Sequence, residues 1–177
     1  MRNCNINTAD GEGLTSLHYA ASYNCPKVIE AIIKLIPLEK ITINAKDRYG
    51  WTPLYCASHH GNVECVKLLL NMGADPKSKN LVGKNSLHAA TQQDRSAIVD
   101  LLIKNSKHDE QDVHLLNMKD NRGLTPLHDC TYRGHFLLFK NLCTNYQSVI
   151  DLSIKDDLGY IAEDYETEFQ DLHKAHK

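Results

Sequence analysis

Apolar residues recur along this chain with the spacing of amphipathic helices, and polar turns interrupt them at regular intervals. Four segments carry apolar side chains at positions i, i+3 and i+4, which places each set on one helical face. The four sets are Ile29, Ile32 and Ile33; Val66, Leu69 and Leu70; Val99, Leu102 and Ile103; and Phe139, Leu142 and Cys143. Because one such face cannot be buried by its own helix, each predicted helix must pack against neighbouring elements.

A turn motif, Asp-x-x-Gly-x-Thr-Pro-Leu-His, precedes each of these helices in a more or less complete form. Its four versions begin at Asp10, Asp47, Asn80 and Asp120. The motif glycines are Gly13, Gly50, Gly83 and Gly123, with a weaker fifth match at Gly159, so successive units are 37, 33, 40 and 36 residues long. Asp and Gly favour a tight turn, Thr caps a helix, and Pro suits the first helical position. The motif therefore predicts a short first helix in every unit.

This recurring motif resembles that of the ankyrin-repeat family, whose period is about 33 residues. The resemblance implies an all-α fold, an α-solenoid of stacked helix-turn-helix units joined by β-hairpin-like loops. We predict a single domain over residues 1–177, with repeats at about 8–44, 45–77, 78–117 and 118–153 and a degenerate C-terminal cap at 154–177. The additional residues predict insertions near Pro37–Ile41, Ser106–His114 and Thr144–Val149.

Three parts of the chain depart from the motif. In the third unit Asn85 and Ser86 replace Thr-Pro and Asp94 replaces a turn Gly, so we expect this unit to be the least stable of the four. The cap is predicted to be a helix with an apolar stripe of Ile161, Tyr165, Phe169 and Leu172. No polar capping helix precedes the first repeat, which indicates either a truncated array or a repeat that tolerates an uncovered flank.

Composition excludes several classes of protein. Hydrophobic residues make up 42% and charged residues 24% of the chain, as in soluble globular proteins. A net charge of -2 gives no basic field for nucleic acid, and no apolar stretch is long enough to span a bilayer. The six cysteines form no C-x-x-C pair and mostly occupy small apolar positions of the repeat. We therefore predict free thiols and a reducing compartment, the cytoplasm or nucleus.

The sequence contains no recognisable catalytic motif, and we predict no enzyme activity, cofactor or metal site. His18, His88 and His128 are interpreted as structural residues that bond the turn before them. One group, Cys56, His59, His60 and Cys65, could suggest zinc. The repeat register, however, points these side chains in different directions.

The family resemblance implies that partners contact the turn tips and the outer ends of the first helices. The candidate partner-binding residues at these positions are Tyr23, Arg48, Tyr49, Trp51, His59, His60, Leu81, Val82, Lys84, Gln92, Gln93, Arg122, Leu124, Tyr132 and Arg133. Trp, Tyr and Arg dominate binding energy at protein interfaces. Leu81 and Val82 are apolar at a solvent-facing turn, whereas Trp51 has an alternative, structural interpretation along its own hairpin.

The predicted function is non-catalytic protein–protein interaction, as an adaptor that binds a protein or peptide through a concave, hairpin-lined face. The chain is expected to be monomeric unless its N-terminal flank self-associates, with no nucleic-acid partner and no membrane insertion. Two alternatives stay open: a regulatory segment of a larger multidomain enzyme or channel, and an inhibitor that occludes a kinase or transcription factor. The Ser106–His114 insertion is either a solvated loop or a recognition element. Asp129 either bonds a neighbouring helix terminus or contacts the partner.

Overall fold

The computed structural model describes residues 5–106 and 114–166, and within these ranges the chain forms four pairs of α-helices. The pairs are α1 (Ser16–Ser22) with α2 (Pro26–Leu35), α3 (Pro53–His60) with α4 (Val63–Asn71), α5 (Ser86–Gln92) with α6 (Ser96–Asn105), and α7 (Pro126–Tyr132) with α8 (Phe136–Asn145). Two 3₁₀ turns, Leu38–Lys40 and Leu115–Asn117, follow α2 and α6. The described residues contain no β-strand, and the predicted all-α solenoid is confirmed.

The first helices start and stop where the turn motif predicts. Thr52 precedes α3 in an extended conformation, and its Oγ1 accepts a hydrogen bond from the backbone N–H of Tyr55 at 3.2 Å. After α3 the chain turns at Gly61 with φ of 84°. Asp94 takes the same position after α5 with φ of 53°, because the short polar side chain of Asp tolerates left-handed geometry.

Stacking of the helix pairs buries the predicted apolar faces. The first helices α1, α3, α5 and α7 pack in chain order, and α2, α4 and α6 form a parallel second layer. Ile29, Val66, Val99 and Leu102 are fully buried between these layers. The core is therefore one continuous ribbon running through all repeats, as expected of a solenoid.

Hairpin-like turns project from one edge of the stack and touch one another. In the second turn the Asp47 N–H donates to the Trp51 carbonyl oxygen at 3.0 Å, which closes the loop. The next turn attaches through the Leu81 N–H, which donates to the Tyr49 carbonyl oxygen at 3.0 Å. Gly50 is required here, because its φ is 77° and an added Cβ would lie 2.9 Å from the Leu81 nitrogen.

The third repeat keeps its helix cap despite the altered motif. The side-chain Oδ1 of Asn85 accepts hydrogen bonds from the backbone N–H groups of Leu87 at 3.0 Å and His88 at 3.1 Å. Ser86, which occupies the usual proline position, has a buried Oγ with no hydrogen-bond partner among the described residues. The low relative stability of this repeat stays a prediction, and its physical cause would be Ser86 and not the cap.

The two ends of the stack differ from its interior. Val28 on α2 is 46% exposed, whereas its counterpart Cys65 on α4 is fully buried against the first repeat. At the other end, the Asp164 carboxylate accepts a hydrogen bond from the Ile161 N–H at 2.8 Å. Of the predicted cap stripe, Ile161 and Tyr165 are half-buried. Phe169 and Leu172 lie outside the described residues.

Candidate functional site

The motif histidines connect successive repeats. Nδ1 of His18 accepts a hydrogen bond from the Thr15 N–H at 3.1 Å, so the ring proton is on Nε2. Nε2 lies 3.0 Å from the Trp51 carbonyl oxygen of the next hairpin and donates to it. In the same way, Nε2 of His88 donates to the Leu124 carbonyl oxygen, and Nε2 of His128 donates to the Tyr160 carbonyl oxygen, at 3.1 Å each. The predicted bond to the preceding turn is confirmed, and the bridge to the following repeat is an additional finding.

Burial keeps these imidazoles neutral. It lowers the pKa of His18 and His128, and it lowers the pKa of His88 to about 4. Both ring nitrogens of each histidine are engaged in hydrogen bonds within the repeat framework. The three side chains that look most like catalytic groups in the sequence therefore have a structural role.

A cavity of about 690 Å³ opens between the first three hairpins, on the concave side of the stack. Its mainly apolar wall is formed by Leu14, Ser22, Asp47, Tyr49, Trp51, Cys56, Asn80, Leu81 and Val82. Leu81 is 69% and Val82 55% exposed at its rim. Four predicted partner-binding residues, Tyr49, Trp51, Leu81 and Val82, are thus brought together here. We call this space the apolar groove.

Trp51 has two roles in this groove. Its ring centroid lies 4.7 Å from that of Tyr55 and 5.3 Å from that of His59, so one side of the indole packs on α3. The structural alternative for Trp51 places it along its own hairpin, whereas these contacts are with the helix that follows the hairpin. Tyr49, by contrast, is 53% exposed, with the Arg48 guanidinium 4.7 Å from its ring centroid. Arg48 also forms an ion pair with Glu12 of the preceding hairpin.

The other end of the concave face is filled by an ion cluster. The Lys84 ammonium lies 3.0 Å from Asp120 Oδ2 and 2.8 Å from Asp129 Oδ1, and its side chain is only 13% exposed. Gln92 donates to the same Asp129 oxygen at 3.0 Å. Burial raises the pKa of Asp120, but hydrogen bonds from the Arg122 N–H and from Lys84 outweigh it, and the net pKa is lowered. We call Lys84, Asp120 and Asp129 the ion cluster.

Two predicted partner-binding residues, Lys84 and Leu124, are less accessible than their turn positions predict. Lys84 is held between two carboxylates, so its ammonium group is already neutralised. Leu124 is only 5% exposed, and its carbonyl oxygen accepts a hydrogen bond from His88 of the third repeat. Asp129 bonds the side chains of Lys84 and of Gln92, which is the last residue of the neighbouring helix α5. A contact of Asp129 with a partner stays a prediction.

The remaining predicted residues lie outside the groove. Tyr23 is 73% exposed and stacks on Tyr19, with ring centroids 6.3 Å apart. Tyr132 is 53% exposed and packs edge-on against Tyr165. His60, Arg122 and Arg133 are exposed, while His59, Gln92 and Gln93 are half-buried. His59 packs on Trp51 of the groove, and Gln92 bonds Asp129 of the ion cluster. The predicted surface therefore divides into the apolar groove, the ion cluster and separate exposed side chains.

The group of Cys56, His59, His60 and Cys65 is not arranged as a metal site. The Nδ1 of His60 donates to the backbone carbonyl of Cys56 at 2.9 Å, and burial raises the pKa of the Cys56 thiol to about 12. Within residues 5–106 and 114–166, no group of three or more His, Cys, Asp or Glu side chains is placed to hold a metal ion. No helix in these ranges is long and apolar enough to cross a membrane.

Asp47 and Asn80 line the groove, although the sequence motif predicts only a turn role for them. The surroundings of each turn Asp or Asn depend on the residue nine positions after it in the sequence. That residue is Tyr19, Cys56, Ala89, Asp129 or Tyr165 in the five turns. Tyr19 and Tyr165 donate their hydroxyls to the turn carboxylates Asp10 and Asp156, whereas small Cys56 leaves room for a cavity beside Asp47.

Comparison with known proteins agrees with the repeat architecture. The family model for ankyrin repeats in three copies matches residues 1–80 and again 73–156. The chain belongs to the ankyrin-repeat family. It is 32% identical over 140 residues to human Rabankyrin-5 and 30% identical over 149 residues to Inversin of Canis lupus familiaris, covering 78% and 83% of this chain. Human transient receptor potential cation channel subfamily A member 1 is 35% identical over 99 residues, or 56% of this chain.

The chain spans only a small part of these relatives, 11% of Rabankyrin-5, 13% of Inversin and 8% of the channel. Ankyrin repeats are protein-interaction modules, and this chain is one. The comparisons indicate no catalytic family.

Proposed function

We propose that this ankyrin domain binds an apolar segment of a partner protein in the apolar groove, without catalysing a reaction. The observation that carries the proposal is the exposure of Leu81 and Val82, 69% and 55%, at the rim of a largely apolar cavity of about 690 Å³. Concave apolar pockets with a few polar groups are the usual form of a binding site. Burying this rim under a partner removes apolar surface from water.

The groove is built from elements that hold each other in place. The Arg48 N–H donates to the Glu12 carbonyl at 2.9 Å, and the Leu81 N–H donates to the Tyr49 carbonyl at 3.0 Å. Three consecutive hairpins are therefore joined backbone to backbone. A pre-organised surface loses little conformational entropy when a partner binds, which supports recognition by a stiff scaffold.

The proposal is tested by a pair of leucine substitutions with similar exposure. Leu81 is 69% exposed at the groove and Leu137 is 75% exposed on α8, away from it. Partners captured from cell extract by the wild-type domain are identified by mass spectrometry and then titrated as purified proteins. Leu81→Ser should weaken binding at least about tenfold, since about 1.4 kcal/mol corresponds to that factor. Leu137→Ser should leave it unchanged. Equal effects, or a loss with Leu137→Ser alone, would place the interface elsewhere.

The compartment is part of the same proposal. The five cysteines among the described residues, Cys25, Cys56, Cys65, Cys130 and Cys143, are unpaired. We propose that the domain resides in a reducing compartment, the cytoplasm or nucleus, where such thiols persist. Cells are lysed directly into denaturant with an alkylating reagent, because buried thiols react only when the fold is opened. Mass spectrometry should then find all five thiols modified without prior reduction. A disulfide found under these conditions would contradict the assignment.

A second candidate function has one supporting observation. The relatives are much longer than this chain: it spans 8% of the cation channel and 18% of tyrosine-protein kinase HTK16 from Hydra vulgaris. On that basis the domain serves as the recognition or regulatory segment of a larger enzyme or channel. A reading frame that continues into catalytic or membrane-spanning sequence supports this candidate, and stop codons bounding the chain on both sides exclude it.

A further inference from the structure

Every hairpin is closed by an Asp or Asn side chain whose first oxygen accepts two backbone hydrogen bonds. In the second hairpin these donors are the N–H groups of Tyr49 at 2.9 Å and Trp51 at 2.8 Å, both directed at Asp47 Oδ1. In the third hairpin Asn80 Oδ1 accepts from Val82 and Lys84 in the same way. The first oxygen is thus committed to the turn, which leaves the second oxygen of an aspartate for other contacts.

The fate of that second oxygen differs between hairpins. Asp10 Oδ2 accepts from the Tyr19 hydroxyl at 2.6 Å, and Asp156 Oδ2 accepts from the Tyr165 hydroxyl. Asp120 Oδ2 is paired with the Lys84 ammonium at 3.0 Å. Asp47 Oδ2 has no hydrogen-bond donor or cation in contact within residues 5–106 and 114–166. Among the four turn aspartates, only this half-buried carboxylate is left uncompensated, and it lines the apolar groove.

Nearby cations are already engaged. Arg48 pairs with Glu12 and donates to the Tyr49 hydroxyl at 2.6 Å. The Lys46 ammonium donates to the Lys79 carbonyl at 2.7 Å. A partner that covers the groove would remove water from Asp47, and an unpaired buried carboxylate is strongly unfavourable. A suitable partner must therefore bring its own positive charge to this point.

We propose, building on the proposed function, that the groove recognises a lysine side chain embedded in the apolar segment of the partner. Its ammonium group pairs with Asp47 Oδ2, and its aliphatic stem lies along Tyr49 and Trp51, whose ring centroids are 6.5 Å apart. Aromatic rings at such a site attract cations as well as apolar groups. Lysine fits better than arginine because a guanidinium is best satisfied by two carboxylate oxygens, and here only one is free.

The test begins with a displayed library of random heptapeptides selected on the wild-type domain. Enriched sequences should combine a central lysine with apolar neighbours. The best peptide is then synthesised in three versions, with lysine, arginine or norleucine at that position, and each is titrated by fluorescence anisotropy. We expect the lysine peptide to bind about tenfold more tightly than the norleucine peptide, and several-fold more tightly than the arginine peptide.

Asp47→Asn is the decisive variant, because Asn80 shows that an asparagine closes the same turn in this chain. This variant should weaken binding of the lysine peptide about tenfold and leave binding of the norleucine peptide unchanged. Asp10→Asn makes the same change of charge at a carboxylate whose Oδ2 is occupied by Tyr19, and it should have little effect. Equal losses in Asp47→Asn and Asp10→Asn, or none in Asp47→Asn, would overturn the lysine site.

The outcomes also separate this inference from the proposed function. In one outcome, the selection yields apolar peptides that lack a basic residue and bind the Leu81→Ser variant less tightly than the wild type. That result would support the groove but overturn the lysine site. A library that yields no binder, or only binders insensitive to Leu81→Ser, would overturn both.

Discussion

The two ends of the concave face are built on the same turn and have opposite character. Between the first three hairpins, Asp47 borders an open apolar groove with Leu81 and Val82 at its rim. Between the third and fourth repeats, Asp120 is covered by Lys84, which also binds Asp129. The same acidic turn residue is thus neutralised at one end and left open at the other.

The difference arises from the side chains around the turn and not from the repeat framework. Cys56 is small and apolar at the position where the fourth repeat has Asp129, and the cavity occupies the space beside it. Backbone connections between hairpins are the same at both ends, with Leu81 N bonded to Tyr49 O and Asn121 N bonded to Val82 O. Repeat architecture and binding chemistry can therefore vary independently. Cys56 at one end, and Lys84 with Asp129 at the other, decide whether the space beside the turn aspartate is a cavity or is filled.

The largest predicted effect on stability lies in the ion cluster. Lys84→Met leaves Asp120 and Asp129, whose side chains are 1% and 3% exposed, without their cation. Removing one partner of a buried ion pair is strongly destabilising, so we expect a loss of about 3 kcal/mol in the free energy of unfolding. Urea denaturation provides the measurement. Lys67→Met, which breaks an exposed pair with Glu64, should change stability by no more than about 0.5 kcal/mol. Similar values for both variants would refute a special role for the cluster.

The ion-cluster end should also carry much of the pH dependence. Burial lowers the pKa of His88 from 6.5 in the unfolded chain to about 4 in the folded one. Because the unfolded chain then binds more protons, stability decreases as the pH falls below 6.5 and continues to decrease until about 4. Linkage gives a loss of about 2 kcal/mol from this residue between pH 7 and pH 5. Urea denaturation at both pH values should show a smaller decrease for His88→Gln than for the wild type. An identical decrease would mean that His88 does not titrate in this way.

At the apolar groove, substitution of Trp51 should mainly affect stability, whereas substitution of Tyr49 should mainly affect partner binding. Trp51 is half-buried against Tyr55 and His59, so Trp51→Ala is expected to reduce the free energy of unfolding by about 2 kcal/mol. Tyr49 is 53% exposed, and Tyr49→Ala should change stability by less than about 0.5 kcal/mol while weakening partner binding. Thermal and urea unfolding, together with anisotropy titrations, measure both quantities. A stable Trp51→Ala variant would mean that the indole does not support the fold.

The third repeat, which lies between the two ends, offers the smallest effect. Ser86 has an unpartnered buried hydroxyl at the position occupied by Pro53 and Pro126 in other repeats. Ser86→Pro removes that group and restricts the unfolded chain, so a gain of about 1 kcal/mol is expected. Differential scanning calorimetry would detect the corresponding rise in Tm. A fall in Tm would show that the repeat is not limited by this residue.

Most of the architecture could be predicted because the motif encodes local geometry. Gly50, Thr52 and Pro53 each satisfy a backbone requirement within a few residues of themselves, and such requirements can be read from one unit of sequence. The role of His18 in bonding its own turn was predictable for the same reason. Its bond to Trp51 of the next hairpin was not, because it depends on how two repeats stack.

The candidate site was only partly predictable. Exposure at turn tips follows from the repeat register, and Tyr49, Leu81 and Val82 are exposed as the register predicts. Burial of Lys84 and Leu124 depends on contacts across repeats about 40 residues apart, such as the bond from Lys84 to Asp129. The motif predicts a turn role for Asp47, and its first oxygen has that role. The contacts of its second oxygen depend on side chains outside the turn and cannot be predicted from the motif.

We propose that the domain binds its partner in the apolar groove between the first three hairpins. Amide chemical-shift mapping during titration of the labelled domain with a captured partner, or with a selected peptide, tests it most directly. If the partner binds in the groove, the largest shifts fall at Leu14, Tyr49, Leu81 and Val82. Largest shifts at Tyr132 and Arg133, or on the second helices with the groove unchanged, would contradict it.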